Sequence, residues 1–103
     1  MDKRVSWSPE ALDDVDAIAA YIAKDSPFYA SAVVQKLLAT AQSLGKFPYI
    51  GAIVPEIGAS EFRERFVYSY RLIYQVTTEQ VLIVAVIHGR RLLTPTLIGL
   101  GQA

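Results

Sequence analysis

The sequence contains no cysteine, so neither a disulfide framework nor a thiolate metal site is open to it. An apolar core has to hold the fold alone, as suits a reducing cytosol. It also lacks a long apolar run. The longest, Val81 to Ile87, is far below the ~20 residues that a helix needs to cross a bilayer. Met1-Asp2-Lys3-Arg4-Val5-Ser6-Trp7 carries no apolar export segment and no small-residue cleavage site, so the expected location is the cytoplasm. Net charge is formally zero, which argues against a general basic binder of nucleic acid. There is one histidine, His88, and after Arg91 no side chain titrates near neutrality: Leu92 to Ala103 reads Leu-Leu-Thr-Pro-Thr-Leu-Ile-Gly-Leu-Gly-Gln-Ala. No internal repeat is present. What remains is 103 residues, 52% hydrophobic, enough for one core and too few for two domains.

The zero net charge conceals an uneven distribution. Up to Glu61 the chain has five basic against eight acidic residues, whereas from Phe62 onward Arg63, Arg65, Arg71, Arg90 and Arg91 face only Glu64 and Glu79. Every positive charge in that second part is a guanidinium, the better fork for phosphate and carboxylate.

Ser8-Pro9-Glu10 is a helix start, with a hydroxyl cap, a proline at the first helical position and an acid at the positive dipole end. Leu12, Val15, Ile18, Ala19 and Ile22 recur at three- and four-residue spacing and predict a helix to about Lys24, with Asp13, Asp14 and Asp16 on its wet side. Ser26-Pro27 repeats the start. Ala30, Val33, Val34, Leu37, Leu38, Ala41 and Leu44 then form a second stripe that stops before Gly45. Together these predict a helical hairpin.

Lys46 to Glu61, broken by Pro48, Gly51, Pro55 and Gly58, reads as an irregular connection whose Phe47, Tyr49, Ile50, Ile53, Val54 and Ile57 pack on the domain. From Phe62 the period becomes two. Strands are predicted over Phe62 to Val67, Tyr70 to Val76 and Val81 to His88, with a turn at Thr77 to Gln80, as an antiparallel meander. The last strand is apolar on both faces and belongs inside the sheet. Arg4 to Trp7 is a fourth strand, and the predicted class is α+β with order β-α-α-β-β-β. The expected domain spans residues 1–91, followed by an apolar tail over 92–103.

Ser8-Pro9-Glu10-Ala11, Pro48 to Gly51, Arg63-Glu64, Tyr70-Arg71-Leu72-Ile73-Tyr74 and His88-Gly89-Arg90-Arg91 occur in an order and spacing that resembles the RelE/ParE toxin superfamily, over about residues 4–91. The resemblance implies a two-helix hairpin on a twisted antiparallel sheet and a growth-arresting toxin neutralised by an antitoxin encoded beside it. It implies one of two targets. RelE-like members cut messenger RNA on the ribosome, whereas ParE-like members poison DNA gyrase without hydrolysis of their own. Operator DNA would be reached only through the antitoxin, and neither a cofactor, a membrane nor a small-molecule substrate is implied.

Cutting RNA through its 2′-hydroxyl needs a base, an acid and cations around the phosphorane. Arg71 matches the arginine that RelE-like members carry on the equivalent strand. Arg90 and Arg91 sit where further cations are expected, and His88 is the available acid. The ribonuclease members end in a tyrosine or a histidine-tyrosine pair, and this chain has neither. His88 also reads as the end of a strand bonded to nearby backbone, and it belongs to the His-Gly-Arg-Arg segment typical of ParE-like members. The leading expectation is therefore a ParE-like gyrase inhibitor with Arg63, Arg65, Arg71, Arg90 and Arg91 as target-binding residues. The enzyme alternative uses Arg71, His88, Arg90 and Arg91 as an endonuclease site, and a third possibility is a non-toxic module that binds antitoxin.

The alternation of the strand puts Arg71 on the face opposite Tyr70 and Leu72, turned either to a partner or to Glu64 on the neighbouring strand. Tyr68, Tyr70 and Tyr74 are expected in the core rather than as stacking platforms for bases. Asp13, Asp14 and Asp16 spread around a helix and form no metal site. Leu92, Leu93, Leu97, Ile98 and Leu100 either meet an antitoxin or fold back on the core.

Overall fold

The two serine-proline signals do what their chemistry predicts. In the computed structural model, which describes residues 2–94, Ser8 Oγ accepts from the Ala11 amide at 3.1 Å and Ser26 Oγ from the Tyr29 amide at 3.0 Å. They start α1 (Pro9–Ala23) and α2 (Pro27–Ser43). The short link between the helices makes them a hairpin, and Ala11, Val15, Ala30, Val33, Leu37, Ala41 and Leu44 are buried along its inner side. The stripe is narrower than the periodicity implies, because Leu12 and Leu38 both remain 48% exposed. Gly45 ends α2 by permitting a close approach. Its carbonyl accepts from the Lys3 amide at 2.9 Å, and a Cβ there would come within 2.5 Å of the Lys3 carbonyl oxygen.

The remaining elements are β1 (Arg4–Trp7), β2 (Ala52–Ile53), β3 (Phe62–Val67), β4 (Tyr70–Val76) and β5 (Gln80–His88), in one sheet of order β1-β5-β4-β3-β2. β3, β4 and β5 form the predicted antiparallel meander. The expected antiparallel sheet carries one parallel pair: β1 runs parallel to β5, from Arg4 opposite Gln80 to Trp7 opposite Ile83. Parallel neighbours need a long crossover, and here both helices and three strands supply it. β2 is an addition within the expected irregular connection, pairing Ala52 with Glu64 and Ile53 with Arg63. Two residues are too few to show a period.

Both faces of the sheet are covered, as the apolar β5 requires. Leu72, Tyr74, Val76, Val81, Ile83 and Val86 pack with the helices. On the opposite side, Ile73, Val84, Ala85 and Ile87 lie with Val54, Ile57 and Leu93. A register shift makes this possible. Tyr74 faces Ile83 while Ile73 faces Ala85, so β5 has one residue more than β4 and both Val84 and Ala85 join the second cluster.

The connection therefore packs through Val54 and Ile57 only. Phe47, Tyr49, Ile50 and Ile53 stay exposed, because the segment covers one face of the sheet and its other side chains point to water. Leu93 folds back on the core and Leu92 does not. Leu97, Ile98 and Leu100 lie outside the described residues. Among the described residues no helix is long and apolar enough to cross a membrane.

Candidate functional site

Arg71 sits on β4, the middle strand, so its guanidinium has neighbours on both sides and must be compensated there. Two carboxylates do this. Its Nη1 and Nη2 donate to Glu56 Oε2 and Oε1, each at 2.8 Å, and its Nε and Nη2 donate to Glu64 Oε1 at 2.8 and 2.5 Å. Nη1 also reaches the Arg91 carbonyl at 3.2 Å, and the Leu93 amide donates to Glu56 Oε2 at 2.9 Å. The hydrogen bonds from Arg71 hold the Glu56 carboxyl at about 2 against the opposing effect of burial, and the same bonds raise the guanidinium above its ordinary value.

Arg71 is 5% exposed. Of the two readings of Arg71, the structure takes the pairing with Glu64: the side chain is turned inward and clamps the 55–56 loop and the chain after β5 onto the sheet. Glu64 was visible as a partner from strand alternation. Glu56 was missed, although an acid between Val54-Pro55 and Ile57, in an otherwise apolar stretch, is a signal that could have found it.

The other four candidate arginines, Arg63, Arg65, Arg90 and Arg91, are not gathered at one site. Arg63 serves the connection. Its Nε donates to the Ser60 carbonyl at 2.7 Å, its Nη1 to the Gly51 carbonyl at 3.1 Å, and the guanidinium lies 5.1 Å from the centre of the Tyr49 ring. Arg65 is partly exposed and has no side-chain partner among the described residues. Arg90 and Arg91 follow β5 in an exposed turn, in which the Arg91 amide donates to the His88 carbonyl at 2.9 Å. His88 closes β5, exposed, with Nδ1 accepting from the Arg90 amide at 3.3 Å and its ring edge-on to Tyr70 at 5.9 Å.

Among the open cavities that flank this turn, two hold His88 with one of the two arginines. One, of about 350 Å³, lies between α1 and the end of β5 and is lined by Asp14, Tyr21, Tyr70, His88 and Arg91 among others. β5 runs on past its last pairing with Trp7, and Asp14 Oδ2 takes the Val86 amide there at 2.9 Å. Asp14 thus leaves the solvated side to which the helix period assigned it. Burial pushes its carboxyl up, while the Val86 amide and the charge of Arg91 oppose the shift.

The second cavity, of about 590 Å³, is lined by Phe66, Tyr68, Ser69, His88, Gly89 and Arg90. Tyr68 corrects the expectation of three core tyrosines. Tyr74 is fully buried, with its hydroxyl accepting from the Gly51 amide at 3.0 Å, and Tyr70 packs on the core, but Tyr68 is 55% exposed. Among the described residues no group of three or more histidine, aspartate or glutamate side chains could hold a metal ion.

A helical hairpin on one face of a five-stranded, mostly antiparallel sheet is an α+β fold of the RelE/ParE type. Residues 5–93 match the model of the ParE toxin of type II toxin-antitoxin systems, parDE, and the chain belongs to that family. Y4kP of Sinorhizobium fredii (strain NBRC 101917 / NGR234), whose name carries the word toxin, is 39% identical over 49 residues, 48% of this chain and 51% of Y4kP. The match thus spans about half of that relative's length.

Among solved structures, the fold is similar to that of a chromosomal ParDE TA system from P. aeruginosa, at 20% identity and a TM-score of 0.69 over 84% of this chain and 95% of the other. It is also similar to the YoeB dimer from Staphylococcus aureus, at 16% identity and a TM-score of 0.60 over 85% and 98%.

Proposed function

We propose that this toxin acts by gripping DNA gyrase rather than by cutting RNA, and that a cognate antitoxin neutralises it by covering its surface. The observation that carries the choice is the state of Arg71. A phosphorane needs cations free to meet it, and this guanidinium is committed to Glu56 and Glu64 at 2.8 Å or less. Residues 92–103 add no titratable side chain in its place. Membership of the ParE family points the same way.

An antitoxin is supported by the family and by the apolar side chains that the free chain leaves in water. Phe28 is 87% exposed and Tyr21 68%, a pattern suited to a partner helix or strand laid across them. Operator DNA is then reached through that antitoxin alone.

The test is a supercoiling assay with purified toxin. Gyrase should be inhibited at the concentrations that arrest growth, and mapping of transcript ends after induction should show no new cuts. Unaffected supercoiling at those concentrations sinks the gyrase reading. New cuts lost on replacing His88 would establish the ribonuclease, and unchanged growth on expression without antitoxin would establish a module that is no longer toxic.

A further inference from the structure

We infer that the end of the sheet formed by the Tyr68-Ser69 turn and the Gly89-Arg90 segment is the surface with which the toxin engages its target, and that it fits an acidic protein segment. This rests on the reading that the toxin acts by binding a protein.

Tyr68 has a φ of 54°, the one non-glycine residue in the left-handed region among those described. The turn between Val67 and Tyr70 has two residues, a length at which asparagine, aspartate or glycine is the usual choice because a bulky side chain strains that conformation. Here the strained position carries a large aromatic ring, and 55% of it is exposed to water. It gains one edge contact, with Tyr29 at 5.9 Å. Strain held at an exposed aromatic is a cost that folding does not explain, and such positions cluster at functional sites.

The surroundings of Tyr68 are fixed in advance. The Gly89 amide donates to the Ser69 carbonyl at 2.7 Å and ties the turn to the segment that follows β5. A Cβ at residue 89 would lie 3.0 Å from Phe66 Cε1 and 3.1 Å from the Ser69 oxygen, so glycine is what lets ring and backbone close up. Phe66, 60% exposed, therefore lies beside Tyr68 with Arg90 and His88 at the rim of the same cavity. Aromatic anchors next to an arginine on a preorganised surface are the composition of a binding hot spot.

The charges of this cavity choose the partner. Its lining includes Arg90 and His88 and no acid, while Glu56 and Glu64 close by are occupied by Arg71. An anionic group is called for. One arginine in a chain of zero net charge gives little hold on a phosphate backbone, which is gripped through several cations at once. A carboxylate beside apolar side chains on a protein meets the same groups with one charge.

The experiment compares the wild-type protein, Tyr68→Asn and Arg90→Glu for thermal midpoint, growth arrest on induction, and inhibition of gyrase supercoiling. Asparagine relieves the left-handed backbone, so Tyr68→Asn should melt no lower than wild type and yet need at least tenfold more protein for the same inhibition. Arg90→Glu should weaken inhibition at least as much with an unchanged midpoint. Opposite effects on stability and activity are what a merely structural tyrosine would not produce.

If wild type and both variants inhibit gyrase equally, this surface is wrong and the gyrase reading stands. If wild type arrests growth without touching gyrase, the gyrase reading falls, and the surface stands or falls on whether both variants weaken the arrest. A Tyr68→Asn protein that melts lower while Arg90→Glu keeps full potency overturns the inference. So does tight binding of a 20-nucleotide single-stranded oligonucleotide that either variant abolishes, since the partner would then be nucleic acid.

Discussion

Arg71 ties three segments of the chain together through one guanidinium. A guanidinium on the middle strand that satisfies two carboxylates and one carbonyl cannot be removed without leaving the covered Glu64 unpaired and Glu56 with the Leu93 amide alone. Breaking a fully buried pair costs roughly 3–5 kcal/mol, and the exposure of Glu56 puts this network at or below the lower end of that range. We predict a loss of about 2–3 kcal/mol for Arg71→Ala in urea or thermal unfolding, and a change below ~1 kcal/mol would show that the clamp adds little. Glu56 makes the same network sensitive to acid. Its carboxyl lies at about 2 in the folded chain against an ordinary 4.5, so the stability it contributes is complete above about 4.5 and disappears as pH falls toward 2. Glu56→Gln should therefore melt below wild type at pH 7, with the gap closing in acid. A gap that is constant with pH would contradict the assignment. Half of this network was legible in the sequence: alternation placed Arg71 on the face of Glu64, whereas Glu56 lies fifteen positions away in a segment with no period to follow.

At the scale of elements, the place where β5 outruns β1 is the most exposed to error. The Val86 amide has no strand partner there and depends on Asp14. We predict that Asp14→Ala costs ~1–3 kcal/mol, the price of an amide left without an acceptor, and speeds hydrogen exchange at Val86. Asp14→Asn keeps an acceptor and removes a charge that burial disfavours, so at pH 7 it should be neutral or stabilising. Equal losses for both would mean that the charge, not the acceptor, matters. The elements themselves were largely readable. Serine-proline caps fixed both helix starts, and the change of period at Phe62 located three strands to within a residue. The direction of β1 was not readable, because pairing direction depends on the return path of the chain. The exposure of Tyr68 was hidden as well, since Tyr-Ser carries none of the usual marks of a left-handed turn.

For the whole molecule, both apolar clusters are built on the same two strands, β4 and β5. Neither layer can come away while the other stays intact. Equilibrium unfolding is predicted to be a single transition, with the fluorescence of Trp7 and the far-ultraviolet circular dichroism of the helices sharing one midpoint; separate midpoints would mean that the helical layer melts by itself. The seating of β1 against β5 has a further consequence in time. The strand translated first can dock only on the strand translated last among those described, and the 73 residues from Trp7 to Gln80 take about 4–15 s to add at ordinary rates of synthesis. Until then the nascent polypeptide has no closed sheet, and the segment bearing Arg90 does not exist. A messenger broken before the codons of β5 thus yields a polypeptide whose first strand has nothing to dock on.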